Sequence, residues 1–282
     1  MRKSVLAASI AAALALPGVA AAQQAAPAEA KSPHTFTGNM TIISEYRFRG
    51  ISQTFGKPAI QGGIDYSHTS GFYLGNWDSN VSDTAGYPGG NIEMDFYGGW
   101  KNTWGDYGLD LGLLYYYYPG SNAAGGGSQG ALFNPHSPTK VNSGTVHNTE
   151  FYLGGSWKWL SLKWSHALSD YFMVPDTKGT NYLDLSAAYD MGGGWGINGH
   201  IGHTNVHNFS EASYTDYKLG VTKDLSGWSA GVSLVTTNAH DACGAGPGTQ
   251  ANPYCFGKLD GTGVKTMSAG KGVLLLSIGK TF

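Results

Sequence analysis

The sequence is poor in charge, in cysteine and in long apolar runs. Charged residues make up 13% of the chain, whereas soluble domains carry about 25%. Beyond the N-terminal segment, no stretch reaches the roughly 20 consecutive apolar residues of a membrane-spanning helix, which excludes helical insertion. The net charge of -2 offers no basic patch, so nucleic acid is excluded as a partner.

The N-terminus has the pattern of an export signal. Arg2 and Lys3 precede an apolar run from Val5 to Val19, which ends in alanines at residues 20–22. A positively charged N-terminal region, a short apolar run and a cleavage site of small residues are typical of a secretory signal peptide. We therefore predict a signal peptide over residues 1–22, a flexible periplasmic lead-in over residues 23–33 and a folded domain over residues 34–282.

The rest of the chain is rich in glycine and aromatic residues, with Gly 43, Tyr 17, Trp 8 and Phe 11 in the whole sequence. Apolar and polar residues alternate in about twelve segments, as in Leu109, Leu111 and Leu113, which flank Asp110. Alternation with period two turns one face of a strand toward lipid and the other toward water. The pattern predicts an all-β fold, a transmembrane antiparallel up-and-down β-barrel of about twelve strands.

Two segments carry expectations about individual side chains. In the first segment, Tyr46 and Phe48 continue the lipid-facing phase, so we predict a strand that runs on to Phe48. In the third segment, we assign Tyr73 and Trp77 to the lipid face, which turns Asp78 into the lumen.

The links between segments alternate strictly in length. Short links lie near residues 68–71, 104–107, 159, 191–194 and 224–227, and long links separate them. Outer-membrane barrels have short periplasmic turns and long external loops, so we predict that both termini lie in the periplasm. The chain ends on the apolar strand VLLLSIGKTF at Phe282, which resembles the signal that the outer-membrane assembly machinery recognises. We expect location in the cell outer membrane, with lipid, lipopolysaccharide and that machinery as partners.

A resemblance to a known family agrees with this pattern. The segment SEYRFRGISQTFGKPAIQGGIDYSHTSGFYLGNWDSNV, from Ser44 to Val81, is similar to the TorF family of porins, and its stretch RGISQT is the most specific part. The similarity continues through IEMDFYGGW, TEFYLGGSW and the terminal SIGKTF. The resemblance implies an outer-membrane channel and does not specify the solute.

Charged residues on the water-facing phase are the candidate pore lining. Arg47 and Arg49 are the only arginines after residue 2 and share this face with Glu45, so they either set a constriction or form internal salt bridges. Acids outnumber bases in the set, which favours a weak cation preference if the lumen is open. The predicted lining residues are Glu45, Arg47, Arg49, Asp65, Asp78, Glu93, Asp95, Lys101, Asp110, Glu150, Lys158, Lys163, Asp184, Asp216 and Lys218.

The sequence favours a porin-like channel for passive diffusion of small hydrophilic solutes or ions. A barrel enzyme, such as a hydrolase, is one alternative because His200 falls on the lumenal phase. No serine or carboxylate around the histidines forms a recognisable catalytic motif, so we expect no catalytic residue, cofactor or metal site. A plugged barrel with a structural or surface-recognition role is the other alternative, and homo-oligomerisation is left open.

The two cysteines, Cys243 and Cys255, fall in the last long loop. Export through the oxidising periplasm permits a disulfide between them. The glycines and proline between them allow the tight turn that closure of this loop requires. We therefore predict a local disulfide.

Overall fold

The structure, a computed structural model, describes residues 32–125, 140, 142–244, 246, 251–259 and 263–282. The predicted signal peptide and most of the lead-in lie outside the described residues. In the described part of the chain, no helix is long and apolar enough to cross a membrane. Twelve long strands dominate: β1 His34–Ile43, β2 Ala59–His68, β3 Phe72–Asn80, β4 Ile92–Trp104, β5 Tyr107–Tyr117, β6 His147–Trp157, β7 Leu160–Ala167, β8 Asn181–Gly192, β9 Trp195–Asn205, β10 Tyr214–Leu225, β11 Trp228–Thr237 and β12 Val273–Thr281.

The strands form a closed barrel in chain order. Each strand pairs antiparallel with the next, and β1 pairs with β12, for example Asn39 with Thr281, so the sheet has no free edge. Links of a few residues alternate with long ones around the ring, which defines a short-turn end and a long-loop end. The predicted fold class and the predicted alternation of links are confirmed.

The outer surface of the barrel is apolar. Many leucines that alternate with polar residues are exposed on the outside, such as Leu113, Leu183 and Leu219. Tryptophans at the short-turn end, including Trp157 and Trp195, are also exposed there. A wall of this kind requires an apolar solvent, because exposure of each apolar side chain to water would destabilise the barrel.

The predicted phase of β3 is wrong. Trp77 is only 7% exposed and Phe72 is 64% exposed, so Tyr73 and Trp77 point inward while Asn76 and Asp78 point outward. Aromatic residues occupy both faces of this strand, and alternation alone therefore does not distinguish them. The partner strands decide the phase, since Trp77 is paired with the inward Gly63 and Asn76 with the outward Ile64. Asp78 is thus removed from the candidate pore lining.

The first predicted segment is also too long. Strand β1 ends at Ile43, and the link Ser44–Pro58 folds into the long-loop end of the barrel. Tyr46 is 1% exposed and buried inside the barrel instead of facing outward. A small hairpin that pairs Arg47–Phe48 with Ile51–Ser52 keeps a period of two, so the sequence pattern does not reveal where the wall ends. We call Ser44–Pro58 the plug.

Candidate functional site

The plug and the long loops fill the long-loop end of the lumen with aromatic side chains. The rings of Tyr87 and Tyr118 stack with centroids 3.8 Å apart, and Phe48 packs edge-on against Tyr116 at 5.5 Å. The cavity left among Phe48, Tyr171 and their neighbours measures about 40 Å³, which is room for a few water molecules only. The described side chains therefore fill this end of the lumen. The buried aromatic cluster comprises Tyr46, Phe48, Tyr87, Tyr116, Tyr118, Tyr171, Tyr214, Tyr254 and Phe256.

A buried ion pair joins the plug to the barrel wall. The Arg49 guanidinium donates to both carboxylate oxygens of Glu150 on β6, at 2.7 and 3.0 Å. It also donates to the phenol oxygen of Tyr171 at 3.1 Å and lies 4.2 Å from the ring centroid of Tyr182. Burial raises the pKa of Tyr171 to about 12, so this phenol is neutral at physiological pH. A buried, charge-assisted pair of this kind fixes the position of the plug.

Backbone contacts hold the other side of the plug. Arg47 donates to the carbonyl oxygens of Ala269 at 2.6 Å and Gly50 at 3.1 Å, and pairs with Glu45 at 3.0 Å. Gly50 has φ +80, and a Cβ atom there would lie 2.9 Å from the Cβ of Asp216. Glycine is therefore required where the plug meets the wall. Glu45, Arg47 and Arg49 belong to the plug and not to the wall, in contrast to the sequence prediction.

Several predicted lining carboxylates are sealed beneath the plug. Glu93 accepts a hydrogen bond from the Tyr46 hydroxyl at 3.0 Å, and the Tyr182 hydroxyl donates to Asp216 at 3.0 Å. These carboxyl groups are inaccessible to a solute while the plug is in place. The sealed wall carboxylates are Glu93, Asp95, Glu150 and Asp216.

The lumen beyond the plug, toward the short-turn end, keeps partly exposed polar side chains. We call this part the lower lumen. Its inner wall carries charged residues from six strands, and most of them remain in partial contact with solvent. Those that the sequence assigned to the pore lining are Asp65, Lys101, Asp110, Lys163, Asp184 and Lys218. The prediction that Lys158 lines the pore is wrong. Lys158 lies in the turn between β6 and β7, where its side chain is 51% exposed and its Nζ atom is 3.8 Å from Asp106 Oδ2.

A cluster around His200 was not predicted from the sequence. Its Nδ1 atom lies 2.6 Å from Asp184 Oδ2 and its Nε2 atom 3.5 Å from Asp216 Oδ2. Ser186 donates to Asp184 and not to the imidazole. Both ring nitrogens therefore face carboxylates, and this arrangement does not activate Ser186 as a nucleophile in the manner of a catalytic triad. Three neighbouring strands supply the cluster, so no local sequence motif marks it.

No three histidine, cysteine or acidic side chains among the described residues form a metal-binding group.

The sequence decides the family. Residues 27–252 match a family described as bacterial protein of unknown function (Gcw_chp). The chain belongs to the Gcw_chp family. A comparison of the Gcw_chp chain with curated proteins finds no match. The TorF assignment stays an expectation.

The solved structures that are similar to this chain include porins and an outer-membrane channel. The KdgM porin in complex with disordered oligogalacturonate has 6% identity and a TM-score of 0.46, with 88% of this Gcw_chp chain and 98% of that chain covered. The NanC porin has 8% identity and a TM-score of 0.44, with coverage of 88% and 99%. An outer-membrane channel from Pseudomonas putida F1 has 12% identity and a TM-score of 0.42, with coverage of 92% and 100%. Likeness at this level carries no information on a solute.

A disulfide joins Cys243 to Cys255 in the last long loop. The residues beside Cys255 belong to the aromatic cluster, and the Tyr254 hydroxyl donates to the Ala212 carbonyl at 2.6 Å. The disulfide therefore orders a loop that covers the plug and is separate from the barrel wall.

We expect thiol-reactive label to bind the native protein only after reduction, at two sites per chain. The double variant Cys243→Ser, Cys255→Ser should still assemble, because the strand ladder does not depend on this loop. Mass spectrometry of labelled protein measures the stoichiometry, with unfolded reduced protein as the control. Two free thiols in the folded, unreduced protein would contradict the disulfide.

Proposed function

We propose that this protein is an outer-membrane channel for passive diffusion of small hydrophilic solutes or ions, closed at its external end by the plug in the conformation described. The observation that carries the proposal is a polar, partly exposed lower lumen that ends at one inward-folded link, Ser44–Pro58. A permanently solid interior would not need a solvent-accessible polar half. A twelve-strand ring lies between barrels of about eight strands, filled by side chains, and open porins of about sixteen.

The outer-membrane location is supported by the wall itself. A closed barrel satisfies all backbone hydrogen bonds between strands, which is one of two ways for a chain to cross a bilayer. The exposed leucines and the tryptophans at the short-turn end match a lipid-facing band with an interfacial girdle. Short turns would then face the periplasm, and lipid, lipopolysaccharide and the assembly machinery would be the partners.

The plug is the movable part in this proposal. It is a link between two strands. Among the described residues, Arg49 and Glu150 form the only ion pair between the plug and the wall. Its removal from the lumen would leave all the described strand pairings of the wall intact. Opening therefore requires loss of loop contacts and not of the barrel.

A permanently plugged recognition barrel is the second candidate. The tightly packed aromatic cluster at the long-loop end favours it, because such a cluster supports a rigid external surface. The two candidates predict different behaviour of the native protein and the same barrel fold.

Planar-bilayer recording distinguishes them. We expect small, intermittent conductance from the native protein and larger, sustained conductance from a variant in which residues 45–57 are replaced by a short Gly/Ser link. Lys57→Ser is the control, because Lys57 is an exposed residue of the plug and its replacement leaves the plug in place; its conductance should stay at the native level.

Absence of conductance from the folded plug-shortened variant would overturn the channel proposal. A native protein without conductance, together with a conducting plug-shortened variant, would favour the permanently plugged barrel. Cooperative unfolding of each variant checks that the barrel is intact.

A further inference from the structure

We infer that the lower lumen selects anionic solutes, which its lysines Lys101, Lys163 and Lys218 contact as donors. The inference rests on the proposed channel function and names the solute class for that same path. It concerns small molecules that carry a carboxylate or phosphate group, and simple anions.

The carboxylates of the lower lumen are occupied by hydrogen-bond donors of the wall. The Tyr97 hydroxyl donates to Asp65 at 2.6 Å, and the Tyr73 hydroxyl donates to Asp110 at 2.6 Å. Asp184 accepts from Ser186, and its Oδ2 atom lies 2.6 Å from the Nδ1 atom of His200. Hydrogen bonds of this kind hold the carboxylates against the wall and use part of their lone-pair sites.

The lysines of the same region are not held by carboxylates. Among the described residues, no carboxylate oxygen lies within 4.0 Å of the ammonium groups of Lys101, Lys163 or Lys218. Asp110 and Asp184 are the cross-strand neighbours of Lys101 and Lys163 respectively.

The ammonium groups of two of these lysines lie over tyrosine rings instead. The Lys101 ammonium is 5.0 Å from the Tyr73 ring centroid, and the Lys163 ammonium is 4.1 Å from that of Tyr152. An aromatic face leaves the ammonium protons free to donate to a solute.

The three lysines lie on separate strands of the lumen wall. They come from β4, β7 and β10, which are three strands apart along one half of the ring. All three are partly exposed, whereas Asp110 and Asp184 are buried. Asp65, the remaining acid of this set, is partly exposed as well, so a solute in the lower lumen meets ammonium groups from three strands and one carboxylate. His200, held between Asp184 and Asp216, is the remaining titratable group beside Lys218.

The exposure of these groups changes the basis of the cation preference predicted from the sequence. That prediction assumes that every water-facing acid is equally accessible to a solute. In the structure Asp78 points outward, and Glu93, Asp95, Glu150 and Asp216 are sealed beneath the plug. Of the predicted lining residues that stay in the lower lumen, the partly exposed ones are Lys101, Lys163, Lys218 and Asp65.

Reversal potentials in a potassium chloride gradient test the inference. The open channel is the plug-shortened protein that also carries Glu93→Gln, Asp95→Asn, Glu150→Gln and Asp216→Asn, because loss of the plug would otherwise expose these carboxylates to the path. We expect chloride to permeate better than potassium. The triple change Lys101→Gln, Lys163→Gln, Lys218→Gln should shift the reversal potential toward the potassium value, whereas the triple arginine variant should keep the chloride preference. Lys223→Gln is the matched control, because Lys223 lies over the Trp195 ring on the outer wall, and it should leave the potential unchanged.

A conducting channel that prefers potassium with its lysines intact, or a reversal potential unchanged by the triple glutamine variant, would overturn the inference and leave the channel proposal standing. Absence of conductance from every folded variant would instead overturn the channel proposal itself.

Discussion

Arg49→Met is expected to release the plug from the barrel, with a loss of about 3–5 kcal/mol in the free energy that holds it in place. The change leaves Glu150 buried with its charge and without its cation. An unpaired carboxylate in that position is far less stable than one in water, so displacement of the plug and entry of water become favourable. The barrel wall should remain folded, since Arg49 takes no part in the strand ladder.

Limited proteolysis and bilayer recording measure this release. Cleavage within Ser44–Pro58 should accelerate in Arg49→Met, and the fraction of time spent in a conducting state should rise. The double variant Arg49→Met, Glu150→Gln is the control. It removes the charge from both partners and should recover much of the loss, because a neutral pair leaves no buried charge unpaired. Native resistance to proteolysis in Arg49→Met alone would contradict the assigned importance of this ion pair.

Val232→Arg is expected to destabilise the membrane-embedded barrel by about 2–4 kcal/mol, whereas Ser233→Arg should cost much less. The two residues are neighbours near the middle of β11, and they point in opposite directions. Val232 is exposed on the outer wall between Val221 and Leu276, while Ser233 faces the lumen beside Gly220. An arginine at Val232 therefore meets lipid, and one at Ser233 meets the lumen.

Urea titration of protein refolded into phosphatidylcholine vesicles gives both free energies of unfolding. Val232→Leu is a control for the change in side-chain size and should be close to neutral. Equal losses for the two arginine variants, or a larger loss for Ser233→Arg, would rule out either the lipid-facing assignment of this wall or the membrane location itself.

The fold class could be predicted from the sequence because its signals are local. Alternation along single segments, such as Leu109 to Leu113, fixes which side chains share a face, and the lengths of the links fix the antiparallel order. The pattern fails where both faces look alike. Strand β3 has Phe72 and Leu74 on one face and Tyr73 and Trp77 on the other, and only its pairing with neighbours decides which face is outside.

The candidate site could not be predicted to the same extent, because distant residues form it. Arg49 and Glu150 are 101 positions apart, and nothing near either residue indicates the other. The sequence identifies both as charged and water-facing. It does not reveal that they meet in a buried pair that holds the plug at one end of the lumen.

The sequence by itself determined a closed, up-and-down barrel with an apolar outer wall, since period-two alternation and link length depend only on neighbouring residues. The tertiary structure alone decided that Ser44–Pro58 folds inward, that Asp78 faces outward, and that Asp65 and Asp110 accept hydrogen bonds from phenols while Lys101 and Lys163 lie over tyrosine rings. Those outcomes depend on which side chains meet across the barrel, where burial and hydrogen bonding between distant strands outweigh the local pattern.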